Sequence, residues 1–147
     1  MTANRRRTCG VDPGAVRVGL AIDDELGLLA HPRGVLDARD PGALLAALCR
    51  FANAENVERF VVGLPLDMSG GEGSAARRAR DLARRIGTAT GCAVELWDER
   101  LSTVQARRTL AAAHVRGRRA RAHIDEAAAC AILQSWIDAR DGNKHQP

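Results

Sequence analysis

Tyrosine is absent from this chain of 147 residues, lysine occurs once, at Lys144, and the aromatic residues are Phe51, Phe60, Trp97 and Trp136. With so little aromatic bulk the core has to be aliphatic, and a hydrophobic share of 46% supplies enough Ala, Leu, Val and Ile to build it. No apolar run nears the ~20 residues that cross a bilayer, which excludes a helical membrane span. Arg5-Arg6-Arg7 has no apolar stretch behind it, so the N-terminus does not read as a secretory signal. Cysteine pairs of the Cys-x-x-Cys kind are missing too. Cys9, Cys49, Cys92 and Cys130 lie scattered among apolar neighbours, which argues against a zinc site or a disulfide frame and for buried thiols in a reducing cytoplasm.

What remains is a basic, arginine-rich chain long enough for one domain over 1–147, with 1–7 and 140–147 as loose ends. The net charge is +4 and the isoelectric point near 9.4. Guanidinium forks grip phosphate through two parallel hydrogen bonds, so this charge points to a polyanionic partner. GC-rich coding also enriches arginine, and the distribution of the charge therefore says more than its sum.

Hydropathy changes period along the chain. Thr8 to Val11, Arg17 to Ile22 and Leu28 to Leu36 read as three strands of an antiparallel meander, with Pro32 placing the third at an edge. Asp40-Pro41 opens a helix carrying Leu44, Leu45, Leu48 and Phe51 on one face. Arg59 to Leu64 is an apolar strand covered on both sides, Ser74 to Thr90 an amphipathic helix, and Cys92 to Trp97 a fifth strand. A helix from Thr103 to about Ala113, a mobile basic stretch from Val115 to Arg121, and a last helix from Ile124 to Ala139 complete the order. Right-handed crossovers predict the strand order 3-2-1-4-5 in a mixed α/β sheet, the RNase H-like layout.

Four acidic or glycine-rich segments carry candidate chemistry. Asp12 ends the first strand, at the carboxyl edge where open sheets bind ligands, although an Asx-turn before Pro13-Gly14 also explains it. Asp98-Glu99 ends the fifth strand. Period-2 alternation sends the two side chains to opposite faces, and the longer Glu99 is better able to bridge the ~10 Å to the first strand, leaving Asp98 as support. Asp125-Glu126 is read as opening the last helix, where the macrodipole favours acids whatever their role. Gly63 to Gly73 exposes backbone N–H groups before a helix, as a phosphate rest, a flap or a plain loop, but without Gly-Lys-Ser/Thr it is no nucleotide P-loop.

Arginines cluster at Arg77, Arg78, Arg80, Arg84 and Arg85, and again at Arg107, Arg108, Arg116, Arg118, Arg119 and Arg121. The second cluster leads directly into Asp125, an arrangement in which arginines hold phosphates while carboxylates hold metal. Ala127, Ala128 and Ala131 form a small-residue helix surface, which suits either a weak homodimer or core packing.

These residues resemble the YqgF/RuvX family of RNase H-like proteins, described as Holliday-junction-resolvase-like and as pre-16S rRNA nucleases. The matching segments are Val11-Asp12-Pro13-Gly14 with Arg17, Gly19 and Ala21, then Val61-Val62-Gly63-Leu64-Pro65-Leu66 with its Gly-Glu-Gly loop. Asp98-Glu99-Arg100-Leu101-Ser102-Thr103 with Ala106 follows, and last Asp125 with Ala128-Ala129 and Ile132-Leu133-Gln134. They stand in family order from Thr8 to Asp138. Asp67 occupies a position where the family often has Asn, and Ser69 one where it often has Asp.

The resemblance implies a nuclease whose metal ligands are Asp12, Glu99 and Asp125, with Asp98 beside them. The hypothesis that follows is hydrolysis with two divalent ions, Mg²⁺ or Mn²⁺, and the basic residues expected to contact phosphates are Arg17, Arg77, Arg100, Arg116, Arg118, Arg119 and Arg121. The expected substrate is a pre-16S rRNA end, alternatively a branched DNA, cut by a monomer or weak homodimer. A non-catalytic nucleic-acid-binding protein on the same fold is the competing expectation. An actin-type ATPase or sugar kinase would need two such domains, and the chain has room for one.

Overall fold

A computed structural model describes residues 5–104 and 117–144. Three strands, β1 (Arg7–Pro13), β2 (Arg17–Asp23) and β3 (Ala30–Asp37), form an antiparallel meander. Helix α1 (Pro41–Ala54) leads to β4 (Val57–Leu64), and α2 (Ser74–Thr90) leads to β5 (Ala93–Asp98). A 3₁₀ turn (Glu99–Leu101) follows β5, and α3 (Arg118–Lys144) is the long closing helix. The two crossovers lay β4 parallel to β1 and β5 parallel to β4, giving the order β3-β2-β1-β4-β5. This is the expected mixed sheet, with β1 at its centre.

Local signals explain where the helices begin and end. Asp40 caps α1 by accepting hydrogen bonds from the N–H groups of Gly42 and Ala43, with Pro41 at the first turn, where its missing N–H costs nothing. Helix α2 stops at Gly91, whose φ of +72° lets its N–H turn back to the Gly87 carbonyl.

The two faces of the sheet are built differently. Cys9, Val11, Val18, Leu20, Ile22, Phe60, Val62 and Leu64 project toward α1 and α2, where they meet Leu44, Leu48, Leu82 and Ile86. The alternate residues face α3, and here Ala21 and Val61 pack with Ala129, Ile132, Leu133 and Trp136. Three glycines on that face let the helix approach closely. A Cβ on Gly10 would lie 2.7 Å from the Leu133 Cβ, one on Gly19 2.1 Å from the Asp125 carbonyl oxygen, and one on Gly63 2.5 Å from the Ile132 Cδ1.

Several expectations need correction. The last helix begins at Arg118 rather than Ile124 and runs to Lys144, so the described part of the basic stretch, 118–121, is helical and not a mobile loop. Residues 5–7 are no loose end: Arg7 opens β1, and the Arg5 guanidinium holds the Asp23 carboxylate at 3.0 Å. Residues 140–144 are likewise part of α3. Of the four thiols only Cys9 is fully buried, with its pKa pushed up by desolvation, while Cys49, Cys92 and Cys130 are half-buried. Ala128 and Ala131 are buried in the seam between α3 and the sheet, so they offer no surface to a second copy. The helix expected from Thr103 to Ala113 falls almost wholly outside the described residues, as do Arg107, Arg108 and Arg116.

Candidate functional site

Asp12 stands one residue before the end of β1 and is 5% exposed. Its neighbour Val11 points into the α1–α2 core, so alternation turns Asp12 to the α3 face. Across the antiparallel ladder Asp12 is registered with Gly19, the residue on which the backbone of Asp125 rests. On the other side, one position beyond the registered pair Val11–Val62, β1 and β4 bring Asp12 beside Gly63.

Glu99 reaches the same place from β5. Gly63 is registered with Trp97, which faces α3 and donates its indole N–H to the Ser135 hydroxyl at 3.0 Å. Asp98 therefore points to the opposite face, and the 3₁₀ turn swings Glu99 back inward, where it is 1% exposed. A Cβ on Gly63 would lie 2.9 Å from Glu99 Oε1. The carboxylate thus lies over β4, in the space that the missing side chain leaves between β5 and β1.

Asp98 holds this turn. Its Oδ1 accepts the Arg100 N–H at 2.9 Å, and the Arg100 guanidinium embraces both oxygens, with Nη2 to Oδ2 at 2.7 Å. The Arg100 side-chain hydrogen bonds hold the Asp98 carboxyl below its ordinary range, and the same pairing raises Arg100. Arg100 also lies against the glycine-rich loop: a Cβ on Gly70 would come 3.6 Å from its Nη1.

Asp125 sits two turns into α3, so it is not a first-turn acid and the macrodipole does not account for it. Its side chain is 21% exposed, and Oδ2 accepts a 2.7 Å hydrogen bond from Arg17 Nε, on β2. The next residue, Glu126, turns to the edge strand instead, accepting the Gly34 N–H at 2.8 Å and pairing with His123 Nδ1 at 2.9 Å.

The donor set here is hard carboxylate oxygen, which suits Mg²⁺ or Mn²⁺ rather than a softer ion. Asp12 and Glu99 fit such an ion by their position on either side of Gly63. Asp125 is placed beside them, but its carboxylate is turned to Arg17. Among the described residues no three His, Cys, Asp or Glu side chains are gathered as a ready-made metal cluster.

The tip of the glycine-rich loop is closed on itself. Asp67 Oδ1 takes the N–H groups of Ser69 at 2.9 Å and Gly71 at 2.6 Å, together with the Ser69 hydroxyl at 2.7 Å. These two amides are therefore committed within the loop, whereas no side chain caps the α2 N-terminus at Gly73, and the hydroxyl and amide bonds hold Asp67 below the usual carboxylate range. Glu72 is paired with Arg80, which ties the end of the loop to α2.

Among the expected phosphate contacts, Arg77 is exposed on α2 and Arg121 on the first turn of α3. Arg118 and Arg119 belong to that turn, whereas Arg17 and Arg100 are engaged by Asp125 and Asp98. Sequence reasoning missed the Arg17–Asp125 pair, which joins residues 108 positions apart. It also missed the part played by Gly63, which was read with the loop that follows; the signal was a lone glycine ending an otherwise branched strand.

Known proteins are similar to this chain in sequence and in fold. A protein named "Putative pre-16S rRNA nuclease" from Anaeromyxobacter dehalogenans (strain 2CP-C) is 46% identical over 134 residues, covering 91% of this chain and 98% of that protein. One of the same name from Myxococcus xanthus (strain DK1622) is 46% identical over 133 residues, covering 90% and 88%. The fold is similar to that of T. thermophilus RuvC in complex with Holliday junction substrate, with a TM-score of 0.58 at 18% identity over 94% of this chain and 97% of that one. The model of the family described as "RuvX: Holliday junction resolvase" matches residues 6–139, and the chain belongs to that family.

Proposed function

We propose that this protein is a divalent-metal-dependent nuclease that cuts a phosphodiester of pre-16S rRNA in the cytoplasm. The observation that carries the reading is the approach of two buried carboxylates to one glycine, Asp12 on β1 beside Gly63 and Glu99, from the turn after β5, over it. Carboxylates at the carboxyl ends of neighbouring strands are the hard oxygen donors that a divalent ion takes, and a phosphodiester-cleaving site uses such donors. The names of the 46%-identical relatives support rRNA as the substrate.

Asp12 would hold the divalent ions together with Glu99 on the β5 side and Asp125 on the α3 side. Mg²⁺ or Mn²⁺ bound there would supply a nucleophilic water at neutral pH and charge stabilisation at the leaving oxygen. Asp98 does not touch the reacting atoms in this scheme; it holds the turn that aims Glu99. Arg77, Arg100, Arg116, Arg118, Arg119 and Arg121 draw the strand across the sheet edge through its phosphates.

A four-way DNA junction is the second substrate reading, favoured by the description of the family. Symmetric cutting of a junction calls for a two-fold dimer. Of the alanine surface of α3, Ala128 and Ala131 are buried against the sheet and only Ala127 is exposed, so we favour a monomer acting on RNA.

The test is cleavage of a 5′-extended 16S rRNA precursor and of a four-way DNA junction, with Mg²⁺ or Mn²⁺, by wild type and Asp12→Asn. The expected result is metal-dependent cutting of the RNA that the variant and a chelator both abolish. Binding without cutting, equal in wild type and variant, would instead establish a non-catalytic RNA-binding protein.

A further inference from the structure

Arg17 and Gly19 lie two residues apart on β2 and so share its α3-facing side. Together they hold Asp125 by two different means. Gly19 supports its backbone, close enough that a Cβ would meet the carbonyl oxygen at 2.1 Å, and Arg17 holds its side chain, Nε to Oδ2 at 2.7 Å. The backbone of Asp125 therefore has no room to move toward β2, whereas its carboxylate can turn about the side-chain torsions. Asp12 is registered directly with Gly19 on the neighbouring strand.

We propose that Arg17 is the resident counter-ion of Asp125 and competes with a divalent cation for its carboxylate, so that metal entry releases the guanidinium toward a substrate phosphate. The proposal rests on the reading of Asp12, Glu99 and Asp125 as metal ligands. Its physical basis is that a guanidinium and a divalent ion on one carboxylate repel each other, so the Asp125 carboxylate cannot serve both fully at once. In the structure that place is taken by Arg17. At 30% exposed it has a path outward, and its planar fork suits a phosphate oxygen pair once freed. Arg17 is thus a positioning residue before metal entry and a phosphate ligand after it.

The test is calorimetric titration of the full chain with Mn²⁺, comparing wild type, Arg17→Gln, Arg17→Lys and Asp12→Asn. Arg17→Gln removes the competing charge and should bind Mn²⁺ about fivefold tighter, a change of the size that loss of one partly exposed ion pair allows. Arg17→Lys, which keeps the charge, should stay close to wild type. At saturating Mn²⁺, Arg17→Gln should raise KM for an RNA substrate more than it lowers kcat, because phosphate binding loses the freed guanidinium. In wild-type protein the Arg17 Nε–H resonance, assigned by its loss in Arg17→Lys, should shift on addition of Mg²⁺, and this holds even if Arg17→Gln does not fold. Unchanged or weaker Mn²⁺ binding by a folded Arg17→Gln, or an Nε–H signal that ignores saturating Mg²⁺, would overturn the proposal. If wild type binds no Mn²⁺, or Asp12→Asn binds it equally well, the metal-site reading itself falls and takes this proposal with it.

Discussion

The face of the sheet toward α1 and α2 is filled with Val, Leu, Ile and Phe, whereas the face toward α3 has Gly10, Gly19 and Gly63 where bulky residues would otherwise stand. The first face gains stability from buried area. The second gives up area for proximity, bringing a helix backbone onto the strands and leaving a channel over β4 for one carboxylate. Both faces are closely packed, but only on the second is the fit set by a helix backbone lying against glycines. The glycines of this face are thus clearances, set by what must come close, and not points of looseness.

The largest effect should come from the acids themselves. Asp12→Asn and Glu99→Gln should each lower cleavage about a thousandfold or more, since a lost ligand removes several kcal/mol of transition-state stabilisation. Both variants should keep a native circular dichroism spectrum; a folded Glu99→Gln with wild-type turnover would remove Glu99 from the site. On the opposite face, Leu48 is completely buried, and Leu48→Ala should destabilise the fold by about 2–5 kcal/mol in urea unfolding while leaving turnover of the folded fraction unchanged.

A paired substitution tests the contrast between the faces directly. Gly19→Ala places a methyl against the Asp125 carbonyl oxygen, a backbone atom that can yield only if α3 moves, and should cost about 1–3 kcal/mol. Gly87→Ala in α2 meets only Val94 Cγ2 at 3.5 Å and should stabilise by about 0.5–1 kcal/mol through helix propensity. Urea unfolding of the two variants should therefore give opposite signs, and equal signs would break the comparison.

Asp98→Asn should reduce cleavage about tenfold, as for a residue that orients a ligand, and so far less than Glu99→Gln. The pH dependence of this acid has a defined sign. Arg100 holds its folded pKa below the ordinary 3.8, so the pairing stabilises the fold fully above that range and the contribution is lost as pH falls through the lower folded value. Carbon-detected NMR titration should show the Asp98 pKa rising toward the ordinary range in Arg100→Gln, which removes the guanidinium and keeps the backbone N–H bond.

The architecture was legible because period and punctuation agree. The branched runs at 17–22 and 59–64, Asp40-Pro41 and the helical face of 74–90 each specify their element locally, and crossover handedness then orders the strands. The boundary of α3 was misread because Arg118 to Arg121 carries no apolar period of its own; these residues are helical as the polar start of a helix anchored further on by Ala129, Ile132 and Leu133. The choice of Glu99 over Asp98 as the inward residue followed from alternation and length, and the structure places Glu99 within and Asp98 outside. The glycine-rich loop was the weakest reading, because its sequence shows available amides and not the side chain that occupies them.

The sequence by itself determined the strand order, the kinds of element, and which acids stand at the carboxyl ends of β1 and β5, since these depend on local periodicity and on chain handedness. Only the tertiary structure decided that Asp125 meets Arg17, that Glu99 lies over Gly63, and that Gly19 is the seat of α3. Those contacts join residues far apart in the chain, and their geometry is set by how closely a helix can approach a sheet, a distance that no local pattern encodes.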